Sequence, residues 1–302
     1  LASLGMGGMV QSNGAVQTLK FTFGVPAAVG TLAVGGLTVA VLAGGNERIM
    51  RVTERLIPLA STVYVVCAGV VILTSYERIP MVLAEVFRYA LLPRSVAGGV
   101  GGYGIRQAVR YGIARGVFSN EAGLGSLAGL HGEAKEEKHL AVNGAGDQCG
   151  YGTEEIQGMW AIFEVFFDTI VSCTLTALVI LCVAGSGTAS EFGAENGASL
   201  TSLCFFTALG SPGGYAVAVC VVLFAFSTII AWYYMGRQAA EYLGGKISGK
   251  IPAVYAVGYL LAAFLGCLGA METVWEVSDI FNGLMAVPNL AALVLLAGEI
   301  YA

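Results

Sequence analysis

Apolar residues run along this chain in long blocks, not in the alternating or one-faced patterns of water-soluble elements. Eight blocks approach or exceed the roughly 20 residues a membrane-crossing helix needs. They lie at about 1–19, 26–44, 57–75, 98–118, 156–184, 213–235, 251–271 and 276–301. The stretch 98–116 is the outlier, Gly-rich and carrying Arg106, Arg110 and Arg115. Each such Arg would cost roughly 2.5–3.5 kcal/mol or more against lipid. The helix it forms is therefore expected to be buried against its neighbours or to line a wet cavity. A further stretch, 79–92 (IPMVLAEVFRYALL), is amphipathic and predicts a helix lying in the membrane interface.

The connections carry the orientation signal. Arg48, Arg51 and Arg55 follow the second block, and Lys135 and Lys138 follow the fourth after Arg110 and Arg115. Arg237, Lys246 and Lys250 follow the sixth, whereas 185–212 holds no Lys or Arg over its 28 residues. Basic loops stay on the cytoplasmic side, so 236–250 and the loop 127–155 are placed inside and 185–212 outside. Alternation puts the connection after the third block outside despite Arg78, Arg88 and Arg94.

Composition agrees with lipid as the solvent. The 302 residues are 56% hydrophobic and only 12% charged, with a mean hydropathy of +0.76. A soluble chain carries roughly 25% charge. The 43 Gly suit membrane helices, where small residues let backbones approach. A net charge of −5 without a basic stripe speaks against nucleic acid. Cys67, Cys149, Cys173, Cys182, Cys204, Cys220 and Cys267 form no CxxC pair and read as small buried hydrophobes. Leu1 already lies in an apolar run that does not read as a signal peptide. The N-terminus reads as truncated, and Ala302 falls inside an apolar helix. The expectation is an all-α, multi-pass protein of the plasma (inner) membrane, a single transmembrane domain over 1–302.

Polar residues inside the blocks mark function, because each is costly there. Gln11, Ser12 and Asn13 sit in the first block, Ser227, Thr228 and Trp232 in the sixth, and Asp279, Asn282 and Asn289 in the last. Glu164 and Asp168 lie four apart on one helical face. Each also has a plainer reading. Ser227 and Thr228 could bond back to their own helix, and Gln11 and Asn13 could join helices. Glu164 and Asp168 could pair with Arg106, Arg110 or Arg115, and Trp232 could belong to an interfacial belt with Tyr233 and Tyr234. The run Ser119-Asn120-Glu121-Ala122-Gly123-Leu124-Gly125-Ser126 is different. Gly-rich and polar at a helix end, it exposes backbone groups that need partners. A helix broken around a buried ligand is a transporter device that supplies them.

That run, extended back to Gly112-Ile-Ala-Arg115-Gly116-Val-Phe118, resembles the signature of the alanine/glycine:cation (sodium:alanine) symporter family. So do Met9-Val-Gln11-Ser12-Asn13, Gln157-Gly-Met159, Glu164-Val-Phe-Phe-Asp168-Thr169, Phe224-Ala-Phe-Ser227-Thr228 through Trp232, and Trp275-Glu-Val-Ser278-Asp279 through Pro288-Asn289. The resemblance spans the chain. It implies a partial five-plus-five inverted-repeat core, with the eight blocks as core helices three to ten. The family's first two helices, including its broken first helix, are then absent, and the chain alone is not expected to transport. The segment between His131 and Gln157 departs from the family in being longer and more charged.

The resemblance implies sodium-coupled symport of a small neutral amino acid, alanine or glycine, by alternating access. Asn120, Phe118, Thr228, Trp232 and Gln11 would bind substrate. Ser227 and Thr228 would hold the co-transported sodium. Amides recognise a zwitterion without a fixed charge, and Trp232 would restrict the pocket to small side chains. Proton coupling through Asp168 or Glu121 remains an alternative. A channel or non-transporting scaffold is another, although a channel needs a ring of like polar groups that is missing here. An enzyme is not expected: Glu164/Asp168 and His131/His139 accompany no nucleophile–base pattern.

Overall fold

In the computed structural model, residues 1–91, 101–121, 123–132, 134, 139–142, 148–151, 153–184, 197–244 and 248–300 are described. Residues 98–100, 185–196, Arg94, Lys135, Lys138, Lys246 and Ala302, on which parts of the sequence reading rest, lie outside them.

The fold is helical. A π-helical segment, Ser3–Val10, runs directly into α1 (Gln11–Phe23). Then come α2 (Ala27–Leu42), α3 (Gly45–Thr74), a short 3-10 turn (Tyr76–Arg78) and α4 (Ile79–Leu91). Next are α5 (Gly101–Asn120), α6 (Ser126–His131) and a two-stranded antiparallel ribbon, β1 (His139–Val142) with β2 (Gln148–Tyr151). A second π segment, Phe167–Ser172, joins α7 (Thr153–Phe166) to α8 (Cys173–Ala184). The chain ends with α9 (Gly197–Gly244), α10 (Ile251–Leu268) and α11 (Met271–Ile300).

Among the described residues, five runs are long and apolar enough to cross a membrane: Gly45–Thr74, Thr153–Ala184, Gly197–Gly244, Ile251–Leu268 and Met271–Gly298. Their outward residues are apolar, with Leu73 at 73% and Leu295 at 84% exposure. Aqueous solvent would not tolerate that surface over so many turns; acyl chains do.

Two boundaries differ from the sequence reading. The basic stretch with Arg48, Arg51 and Arg55 forms the first turns of α3, because only Ala43 and Gly44 separate it from α2. The connection drawn at 185–212 is helical from Gly197, and α9 kinks at Gly210 (φ 68°, ψ −171°) just before Pro212. The ring of Pro212 removes a helical N–H and forces the break. The interfacial stretch is helical as expected, and Arg78 beside it donates to the carbonyl of Cys182 at 2.8 Å, near the C-terminus of α8.

α9 is the central element, packing on α3, α1, the first π segment and α10. Ala15, Val34, Ile49, Phe226, Ile229, Ile230, Tyr233 and Tyr259 form one core around its second half. Tyr64, Val71, Val179, Phe205 and Val217 form another around its first half. Cys182, Cys204, Cys220 and Cys267 are buried as small hydrophobes, but Cys173 is exposed, its Sγ 3.1 Å from Ser119 Oγ. Asn13 is interhelical glue: its Nδ2 donates to the carbonyls of Gly266 (2.8 Å) and Gly269 (2.9 Å), across from α1 to the end of α10. Among the described side chains of α5, Val109, Tyr111 and Ile113 are exposed, so this stretch is not packed against the chain's own helices, and the wet-cavity alternative stays open.

Candidate functional site

The site grows from the end of α5. Glu121 (φ 54°), Gly123 (φ 84°) and Gly125 (φ 88°) are left-handed, so no helix can continue through them. For Glu121 this conformation costs roughly 1–2 kcal/mol. Local bonds hold it: Ser126 Oγ donates to Glu121 Oε2 at 2.7 Å, and the Leu124 N–H donates to the Glu121 carbonyl at 3.0 Å. α11 supplies the rest, with Asn289 Nδ2 donating to the Gly123 carbonyl at 2.8 Å. A side chain on Gly125 would place its Cβ 2.6 Å from Asn289 Oδ1, so this position needs Gly for space as well as for φ.

The last turn of α5 presents two faces. Phe118 lies 4.8 Å from the Trp275 ring and packs, with Met235 and Met285, on a buried cluster of Ala2, Met6 and Trp232. Trp232 is 5% exposed and presses on Gly7, where any Cβ would collide with the indole. The interfacial-belt reading of Trp232 is therefore wrong. The belt requires a ring reaching the polar headgroups, and this ring is enclosed by protein. Tyr233 is likewise buried, its ring tilted against Tyr255 and edge-on to Tyr259.

The other face meets the second π segment. Ser119 Oγ donates to Asp168 Oδ2 at 2.6 Å, and Asn120 Nδ2 donates to Thr169 Oγ1 at 2.9 Å. Asn120 also borders a cleft of ≈ 470 Å³ with Leu127, Ala161, Phe166 and Thr169. The structure thus brings Phe118 and Trp232 together and sets Asn120 toward α7. Gln11 sits half-buried at the first residue of α1, outside the Trp232 cluster and without a hydrogen bond among the described residues.

Ser227 Oγ donates to the Leu223 carbonyl at 2.8 Å and Thr228 Oγ1 to the Phe224 carbonyl at 2.9 Å. Both hydroxyls bond back to their own helix, and their oxygens keep lone pairs for another partner.

The pairing of Glu164 and Asp168 with the α5 arginines is overturned for Arg115. Arg115 instead gives Nη2 to both carboxylate oxygens of Asp279, at 2.5 and 2.6 Å, with its guanidinium carbon 3.8 Å from the Trp275 ring centre. Trp275 on α11 adds a cation–π contact to that ion pair. Asp168 is taken by Ser119. Glu164 lies 3.3 Å from His131 Nε2, and His131 Nδ1 is 2.7 Å from Gln157 Oε1. The Arg106 side chain lies outside the described residues.

The roles of Asn289 and of the Arg115–Asp279–Trp275 stack were missed in the sequence. The only signals were a polar residue after Pro288 and an in-span carboxylate at 279, and neither names a partner over 160 residues away.

The sodium:alanine symporter family matches residues 1–302. A sodium/alanine symporter of Methanococcus maripaludis is 34% identical over 99% of this chain and 61% of its own length. An uncharacterized transporter of Bacillus subtilis, YflA, is 32% identical over 97% of this chain and 58% of its own. A sodium/proton-dependent alanine carrier of Bacillus sp. PS3 is 29% identical over 97% of this chain and 64% of its own. The chain therefore spans about three fifths of the length of these relatives.

Proposed function

From the premise that this chain belongs to the sodium:alanine symporter family, we propose that it forms part of a plasma-membrane symporter that moves a small neutral amino acid with sodium. The observation that carries this is the broken helix at Asn120–Ser126. Its freed backbone is stitched to α11 by Asn289, and Phe118 just before it leans on a buried Trp232. A helix interrupted inside the membrane exposes main-chain groups that can bind the two ends of a zwitterion.

In the proposed site Phe118 and Trp232 wall the side-chain space, Thr228 lies one turn from Trp232 on the same face, and Asn120 and Gln11, which stand outside the Trp232 cluster, would turn their amides to the substrate on binding. Ser227 and Thr228 offer two adjacent neutral oxygens for sodium. Sodium favours the substrate-competent state, and the bundle rocks about the fixed site. Proton coupling is the second reading, favoured by two carboxylates at the break, Glu121 and Asp168, and by the sodium/proton-dependent name of one relative.

The test is uptake by the full-length protein in proteoliposomes. Imposed inward sodium gradients should drive alanine or glycine accumulation. The double variant Ser227→Ala/Thr228→Val should raise the half-saturating sodium concentration by roughly tenfold, the scale of one charge-assisted contact. Uptake that follows a proton gradient and ignores sodium would replace sodium with the second reading.

A further inference from the structure

Hydroxyls within these helices bond back to a carbonyl one turn earlier almost as a rule: Ser12, Thr38, Ser202, Ser227 and Thr228 all do so. Ser278 on α11 does not. It is 0% exposed and its Oγ has no partner among the described residues. One turn on, on the same face, Asn282 is 5% exposed and its Oδ1 is equally without a partner. Two orphaned oxygens on one face would be costly, since each buried polar group needs a partner. Both are already enclosed by the chain's own helices, so only something small can serve them.

The element opposite is the π segment Ser3–Val10. At Gly5 a Cβ would lie 3.0 Å from Ser278 Cα and 3.0 Å from Phe281 Cδ2, so main chain rather than side chain meets this face of α11. A π turn departs from the α-helical bonding pattern, and such turns recur at functional sites. The side-chain oxygens on this face are a hydroxyl and an amide oxygen, the π segment brings main chain against them, and among the described residues the neighbouring Asp279 is committed to Arg115. Such a set offers an anion little, and it is too weakly charged for a divalent ion, which takes carboxylates. It suits a hard monovalent cation, whose hydration shell carbonyl-type oxygens can replace.

We propose that Ser278 Oγ and Asn282 Oδ1, with carbonyls of Ser3–Val10, bind a sodium ion separate from the one assigned to Ser227 and Thr228. The site rests on the sodium-coupled function proposed above and adds a second ion to it. It adjoins the aromatic cluster: Met6 follows Gly5, and Met285 lies one turn beyond Asn282, and both pack with Trp232. An ion here would fix the π segment against α11 and so set the wall of the substrate space.

The test measures binding of radioactive sodium to the purified full-length protein. Ser278→Ala and Asn282→Ala should each raise the half-saturating sodium concentration by roughly tenfold, as expected for losing one ligand to a charge. Ser278→Thr, which keeps the oxygen, should stay near wild type. The wild type should bind one sodium ion more than Ser227→Ala/Thr228→Val. If the Ala variants keep the wild-type melting temperature, stoichiometry and half-saturation, these oxygens hold a water molecule and the site is overturned. Should those variants misfold, the stoichiometry decides alone: a double variant that binds no sodium would leave no second ion. A wild type that binds no sodium would instead overturn the coupling on which the site rests.

Discussion

Trp232 illustrates how one side chain can carry both packing and selection. The indole fills the space left by Gly7 and meets Met6 and Phe118, so it is held in one position by contacts on several sides. In the full-length protein, Trp232→Ala should open the side-chain space of the proposed pocket, letting larger amino acids such as leucine compete better while alanine loses contacts. Apolar pockets discriminate by about 1–3 kcal/mol per methylene, so the ranking should move by tens-fold in competition assays. An unchanged ranking in a stably folded variant would place Trp232 in packing alone. Asn120→Ala should act otherwise. It removes the donor that holds Thr169 and an amide from the proposed site, which costs roughly 1–3 kcal/mol. All amino acids should weaken together, and a loss confined to one substrate would argue against recognition of the common backbone.

Helices and their breaks were legible in the sequence to different degrees. Long apolar blocks announce spans, and SNEAGLGS announces an interruption, because polar and Gly residues inside such blocks need a reason. What holds the interruption was not legible. Asn289 reaches Gly123 across 166 positions, and a hydrogen bond between distant helices leaves no periodicity to read. The π segments were equally hidden, since one residue more per turn does not change an apolar pattern. Asn13 was readable as interhelical glue but not as a clamp on two carbonyls at the end of α10. Two variants test these joints by melting temperature in detergent. Asn13→Ala leaves the carbonyls of Gly266 and Gly269 without that donor, and should lower stability by about 1–3 kcal/mol. Gly125→Ala forces a side chain into a left-handed position, at roughly 1–2 kcal/mol, and pushes it against Asn289. It should depress transport even where the protein folds, because the break itself is displaced. A Gly125→Ala protein with wild-type melting and uptake would show that Asn289 yields freely and that the break has no fixed geometry.

At the scale of the whole molecule, the packing shows which helix ends share one end of the bundle. Ile49, Val52 and Leu56, beside Arg48, Arg51 and Arg55, pack in one core with Tyr233, Tyr234 and Tyr255. The basic start of α3 therefore lies at the same end of the bundle as Arg237 and the α9–α10 turn. Ile72, Val183, Ala184 and Leu200 pack against the other core, so the end of α8 and the start of α9 lie toward the far end of α3. Arg78 is also at that end, against the general rule, and donates to the Cys182 carbonyl near the C-terminus of α8, where the helix dipole favours a cation. An impermeant maleimide added outside intact cells can decide, using the full-length protein with its native cysteines replaced. Tyr76→Cys, at a position 63% exposed, should be labelled from outside. Ser248→Cys, in the α9–α10 turn, should react only after the membrane is permeabilised. Labelling in the reverse pattern would turn the molecule over, and would place Arg48, Arg51, Arg55, Arg237 and Lys250 together on the outer face.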